Sequence, residues 1–304
     1  MIVVRFNGGL GNQLFQYAMG RHLSLIHSRP LKFDISGYTS SEPDPRAGIR
    51  VFGLDAFTVD GQVATPGELK EFEIYRAAGT QARFARLTNS LMPLRCRPYV
   101  LEHKNDFWQF KPSILKSPLA NRVSVVGYWQ TAKYFESIAG IIRNDVKLRH
   151  PPASETTRLL SEMAHVESVS VHVRHGDNAT AAAKDHGVLP LSYYRKAASL
   201  IGSETRAPHF FVFSDDAAWA KATLELPGAT TFVTHNGDAK NYEDLWLMAA
   251  CRHHIVGNST FSWWGAWLGM KDSQRVFAPE KYFVNRKVRF LDYYPRNWNL
   301  LPIS

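Results

Sequence analysis

The stretch HVRHGDN, His172–Asn178, sets a histidine, an arginine and, after one glycine, an aspartate directly behind the alternating run SVSV. Sheet interiors exclude such residues unless something charged waits at the strand's end. Open α/β sheets bind their ligands at the carboxyl ends of their strands. Arg174 offers a planar fork that matches phosphate oxygens bidentately, and His172, two residues earlier, points to the same side of the strand. The pattern fits an anionic ligand at this edge, a diphosphate above all. Asp177 would orient Arg174 or approach a substrate hydroxyl. The plain structural alternative is a strand end closed by an internal arginine–aspartate ion pair.

A second constellation lies in HHIVGNSTFSWWGAWLG, His253–Gly269. Strand, small polar residues and helix start follow one another, so Asn258, Ser259, Thr260 and Phe261 form an anion cradle of backbone N–H groups and hydroxyls at the positive end of a helix dipole. Trp263, Trp264 and Trp267 read as packing rather than as a sugar platform. On the preceding helix, Glu243 or Asp244 could accept from the N1 and N2 donors of guanine. Ser214, Asp215 and Asp216 follow another strand in FVFSDD. Adjacent carboxylates can hold Mg²⁺, but the chain has no Asp-x-Asp triplet, and an acidic helix cap accounts for Ser214 and Asp215. No metal is expected: Arg174 and the cradle supply fixed positive charge, each charge-assisted bond being worth about 1.5–3 kcal/mol.

The third motif is GGLGNQLFQYAMGRHL, Gly8–Leu23. Gly9 and Gly11 permit a tight turn and close backbone approach, and Asn12 with Gln13 stands at the helix start, where a ligand hydroxyl could meet both. A dinucleotide fingerprint is the competing reading, with Asp34 as the ribose acid of an NAD-dependent oxidoreductase. Leu14 stands at its third glycine position and is too bulky for the required helix-to-strand packing.

Short β-branched runs must carry these residues: Ile2–Phe6, Val123–Tyr128, Ser168–Val173, His209–Phe213, Thr230–Val233, His253–Gly257 and Arg275–Ala278. From Ser168 onward they recur at about 20 to 40 residues, as βαβ units require. Helices are predicted over Pro190–Ile201, Asp216–Leu226 and Tyr242–Cys251. Between Pro30 and Asn121 the pattern weakens, which predicts a less regular lobe. The paired prolines of HPPASE, His150–Glu155, mark a boundary, giving lobes at 1–155 and 156–304.

At 304 residues the chain is long for one domain, and 45% hydrophobic residues suffice for two cores. A net charge of +9 points to anionic partners, yet no long basic run suggests a nucleic-acid arm and no RNP-like pattern an RNA-binding module. Cys96 and Cys251 stand far apart, which argues for a reducing compartment. MIVVRF is too short and charged for a secretion signal. The expectation is a cytoplasmic protein whose membrane contact, if any, is peripheral to the inner membrane's cytoplasmic face.

Together, GGLGNQLFQYAMGRHL, HVRHGD and NSTFSWWGAWL resemble, in order and spacing across nearly the whole chain, the α-1,2-fucosyltransferases of glycosyltransferase family 11. The resemblance implies an α/β fold of GT-B type, two Rossmann-like lobes facing across a cleft, with GDP-β-L-fucose in the C-terminal lobe and the acceptor in the cleft. It implies inverting, metal-independent transfer of fucose to the 2-hydroxyl of a terminal β-galactoside, in glycan or lipopolysaccharide O-antigen synthesis, with no cofactor beyond the GDP-fucose co-substrate. It also implies roles: Arg174 on the diphosphate, His172 near ribose or guanine, Asp244 on guanine, Ser259–Phe261 around phosphate and fucose, and Asn12 reaching in from the other lobe beside Gly9, Gly11 and Gln13. Asp177, then His172, are the general-base candidates by type. The family usually shows HVRRGDY, so His175 and Asn178 are departures.

Overall fold

A computed structural model describes residues 1–39, 51–103, 108–176, 186–284 and 292–303. The chain divides into two compact units, Met1–Arg149 with Leu291–Tyr293, and His150–Phe290 with Tyr294–Ser304. The division falls at the start of HPPASE. The extended linker there is short, because helix begins again at Ser154.

The first unit is built on five parallel strands: β1 (Ile2–Arg5), β2 (Leu31–Asp34), β3 (Gln62–Val63), β4 (Tyr99–Leu101) and β5 (Val123–Val126), in the order β3-β2-β1-β5-β4. Helix α1 (Leu10–His27) follows β1, and α2 (Thr80–Leu91) precedes β4. The Pro30–Asn121 region is thus more regular than its sequence suggested. Its strands run only two to four residues, too few for a period-2 pattern to register.

The second unit carries β6 (Glu167–Val173), β7 (Pro208–Ser214), β8 (Ala229–Val233), β9 (His253–Ile255), β10 (Val276–Pro279) and β11 (Asn299–Leu301). All pair in parallel, in the order β11-β10-β9-β6-β7-β8. Numbered from β6, this is the doubly wound 3-2-1-4-5-6 arrangement, whose strand order reverses between β6 and β9. The helices are α3 (Ser154–His165), α4 (Leu191–Glu204), α5 (Ala217–Thr223), α6 (Asn241–Ala250) and α7 (Thr260–Leu268).

Both faces of this sheet are covered, so its strands read as near-continuous apolar runs. Val169, Val171 and Val173 join Tyr193, Ala197, Phe210 and Val212 in one core. Phe211 and Phe213 join Leu159, Leu247 and Met248 on the other. The alternate residues of β6, Ser168, Ser170 and His172, are also buried, and Ser170 Oγ lies 2.7 Å from His254 Nδ1. Polar side chains therefore line the central strands on the side opposite Val171.

Trp263, Trp264 and Trp267 are at most 1% exposed and pack against one another, as expected of core residues. Trp267→Ala should lower the unfolding free energy by about 3–5 kcal/mol, read from urea denaturation. A sugar platform would instead lose ligand binding at unchanged stability.

Candidate active site

In the second unit the residues singled out by type converge beside the β6/β9 reversal. Register places Val173 beside Ser214 and Val171 beside Ile255, so Arg174, Asp215 and the Gly257–Phe261 turn leave the sheet at one edge. The approach is close. A Cβ on Gly257 would come within 2.7 Å of the His172 carbonyl oxygen, which only glycine avoids.

Arg174 Nε lies 3.2 Å from Asp215 Oδ2, both side chains being largely buried. The other oxygen, Oδ1, accepts from the backbone N–H groups of His175 at 2.9 Å and Gly176 at 3.2 Å. Asp215 is thus a carboxylate that seats Arg174 and braces the turn behind it. Asp177 and Asn178 lie outside the described residues. The cap of α5 is Asp216, not Asp215: Asp216 accepts from Trp219 N at 3.0 Å. Ser214 Oγ accepts from Asp216 N at 3.0 Å. Asp216 also lies 2.9 Å from His175 Nδ1, whose ring stacks on Trp219 at 3.9 Å between centroids.

His172 is buried, its ring 5.7 Å from that of Phe261. Burial, reinforced by the Arg174 charge, pulls its pKa down to about 3 despite Asp215 nearby. It is a neutral imidazole at physiological pH, and so weak a base counts against it as the proton acceptor. Its Nδ1 is buried with no hydrogen-bond partner among the described residues.

The turn into α7 departs in part from the expected cradle. Asn258 is buried, and its side-chain amide donates to Gly187 O at 3.0 Å, tying down a neighbouring loop. Ser259 caps the helix, its Oγ accepting from Phe261 N at 3.2 Å, and its own N–H donates to Gly257 O. The Ser259 hydroxyl proton and the remaining first-turn N–H groups, Thr260's among them, carry the positive end of the helix. Of the acidic pair on α6, Glu243 is buried and accepts from Ala153 N at 3.0 Å, which fixes the start of α3. Asp244 accepts from Asn236 Nδ2 at 2.7 Å. Burial raises its pKa to about 6, more than that hydrogen bond lowers it.

In the first unit the corresponding strand-order reversal lies between β1 and β5. Gly8, with φ of 77°, makes the tight turn in the left-handed region. Gly9 is extended at the helix cap and Gly11 lies within α1. Gln13 is fully buried and spent on backbone: Nε2 donates to Gly8 O and Val51 O, while Oε1 accepts from Gly53 N. It holds the turn and offers nothing to an acceptor. Asp34, the ribose acid of the dinucleotide reading, is fully buried and ion-paired with Arg76, and that reading loses its second anchor.

Sequence reasoning missed the residues that orient Asn12. Gln130 Nε2 donates to Asn12 Oδ1 at 2.9 Å, and Gln130 Oε1 accepts from Trp108 Nε1 at 2.8 Å. An indole nitrogen can only donate. It therefore fixes the Gln130 amide, which fixes Asn12 with its oxygen inward and its NH₂ left to donate. Behind Gln130, Glu102 Oε2 accepts from Tyr128 N at 2.6 Å and Trp129 N at 3.0 Å, bracing a turn in which Trp129 adopts φ of 54°. The available signal was the polar GYWQ directly behind a strand. Among the described residues no group of three His, Cys, Asp or Glu side chains is arranged to hold a metal ion.

The profile described as glycosyl transferase family 11 matches residues 111–302. The chain is 30% identical to the alpha-1,2-colitosyltransferase of Escherichia coli over 98% of each chain. It is 32% identical to the O-antigen biosynthesis glycosyltransferase WbnK of Escherichia coli, over 91% of this chain and 93% of that one. Human galactoside alpha-(1,2)-fucosyltransferase 1 is 30% identical over 38% of this chain and 36% of its own. In fold the chain is similar to NodZ α-1,6-fucosyltransferase of Bradyrhizobium in crystals soaked with GDP-fucose, with a TM-score of 0.51 at 16% identity over 88% of this chain and 92% of that one. Two Rossmann-like, all-parallel units of this kind are the GT-B architecture.

Gln130→Leu strands the Trp108 indole N–H and removes the donor to Asn12. It should cost about 1–3 kcal/mol of stability by urea denaturation, while Trp108→Phe, which leaves one amide oxygen without its donor, should cost less.

Proposed function

The chain belongs to glycosyl transferase family 11, and we propose that it transfers L-fucose from GDP-β-L-fucose to the 2-hydroxyl of a terminal β-galactoside, with inversion and without a metal. The product would be a glycan or lipopolysaccharide O-antigen unit. That the chain is a glycosyltransferase follows from the family. Donor sugar and linkage are the finer part. They draw support from the α-1,2 transferases it resembles, one of which moves colitose.

The observation that carries the reading is the convergence of the Arg174 guanidinium, seated by Asp215, with the capped amino end of α7 at the β6/β9 reversal. A pyrophosphate bridging the two would receive a forked cation on one side and a helix dipole on the other. When the acceptor oxygen attacks the anomeric carbon opposite the departing GDP, charge grows on the diphosphate. A cation held in place beforehand stabilises that state more than the ground state. In this scheme the second unit holds the nucleotide and the first the acceptor. Ser259, Thr260 and Phe261 surround phosphate and fucose, and neutral His172 with Phe261 contributes shape rather than charge. Asp244 meets guanine, Asn12 presents its NH₂ to a substrate oxygen, and Asp177, by type and by its place after Gly176, takes the acceptor proton. The enzyme works on the cytoplasmic side of the membrane.

Arg174→Lys replaces the fork with a point charge and should cut turnover by about a hundredfold or more at unchanged melting temperature, measured as GDP release with a β-galactoside acceptor. A chelator should leave the wild-type rate untouched. Near-normal turnover in the variant removes Arg174 from the mechanism, and faster turnover with GDP-colitose than with GDP-fucose reassigns the donor.

Guanine's N1 and N2 donors require Asp244 ionised. Because its folded pKa is raised from 3.8 to about 6, GDP affinity should fall as pH drops through the folded value, while the free protein loses stability as pH rises from 3.8 to about 6. Titration calorimetry should show weaker GDP binding by Asp244→Asn, without the part of the pH dependence that Asp244 supplies. Dependence identical in both proteins would assign it to the nucleotide.

A further inference from the structure

Between Glu73 and Glu102 the chain carries five arginines, Arg76, Arg83, Arg86, Arg95 and Arg97, and no carboxylate side chain. The same stretch exposes Ile74, Phe84, Leu87, Leu91, Met92 and Leu101, half of the exposed large apolar side chains among the described residues. Helix α2 explains the arrangement. Ala82 and Asn89, seven residues apart, face inward, and Asn89 grips Tyr99 of β4 through both its amide atoms. At 100° per residue, Phe84, Leu87 and Leu91 project on the opposite side. They are 68%, 58% and 79% exposed. The outward face, which ordinarily carries charge, is an apolar stripe.

Its rim is cationic. Arg83 and Arg95 are exposed. Arg97 donates to the carbonyls of Ser90 and Met92, which moors its charge at the carboxyl end of α2, and Arg86 is held likewise on Tyr75 and Ala77. We propose that this face lies on an anionic lipid bilayer, with Phe84, Leu87 and Leu91 in the headgroup boundary and Arg83, Arg95 and Arg97 against lipid phosphates. Charge selects the occupant. A second copy would bring the same guanidiniums together with no carboxylate from this stretch to answer them, whereas an anionic leaflet supplies apolar depth and countercharge at once. The attachment is interfacial, since no helix among the described residues is long and apolar enough to cross a membrane.

The test uses the whole chain and reads binding, so it stands apart from the sugar-transfer reading. The protein should sediment with phosphatidylcholine vesicles that contain phosphatidylglycerol, and far less with phosphatidylcholine alone. Phe84→Ser, Leu87→Ser and Leu91→Ser together should weaken this by about tenfold or more at unchanged melting temperature. Arg83→Glu with Arg95→Glu should abolish the preference for phosphatidylglycerol. Cys96 is exposed and Cys251 buried, so an environment-sensitive dye on Cys96 should shift to the blue with the mixed vesicles. Failure of the wild type to sediment, or equal binding by the triple-serine variant, overturns the proposal. So does a concentration-dependent dimer that the same three serines abolish, which would assign the face to a second copy.

Discussion

Holding a guanidinium at the inner end of a parallel strand is the constraint on which the second unit turns. Arg174 emerges where β6 stops, with most of its side chain covered. The residue just after β7 answers it, because the register that pairs Val173 with Ser214 brings Asp215 alongside. Asp215 in turn accepts two backbone N–H groups from the turn after Arg174. Arginine, carboxylate and turn therefore fix one another. Its own burial and the Arg174 charge together keep His172 neutral.

The two units meet the same topological situation with opposite chemistry. At the β6/β9 reversal the sheet edge offers a charge and a helix's amino end. At the β1/β5 reversal it offers amides: a donor-only indole orients Gln130, and Gln130 orients Asn12. A charged edge suits a diphosphate, and an edge of oriented amides suits hydroxyls. In the proposed reading that contrast divides donor from acceptor, although both edges are built by the same strand–turn–helix device.

Much of the second unit was legible because β6, β7 and β8 run five to seven residues and its motifs sit at strand ends. HVRHGD, FVFSDD and HHIVGNST each follow a β-branched run, which predicts the edge to which they belong. Partnership was not legible. That Asp215, 41 positions along from Arg174, answers it depends on the lateral register of β6 and β7. Gln13 was misread for a related reason. Its residue type is equally good at holding a ligand and at satisfying buried backbone, and only packing shows that the backbone took it. The short strands β2, β3 and β4 and the Trp108–Gln130–Asn12 chain left little trace, since their pattern is spread over distant segments.

The most direct trial of the central claim is a crystal structure of the protein with GDP bound. The account predicts a diphosphate within hydrogen-bonding distance of the Arg174 guanidinium on one side and the Ser259–Phe261 turn on the other, with Asp215 still seated behind the arginine. A nucleotide bound at the Gly8–Asn12 turn of the first unit, with Arg174 left facing Asp215 alone, would contradict it.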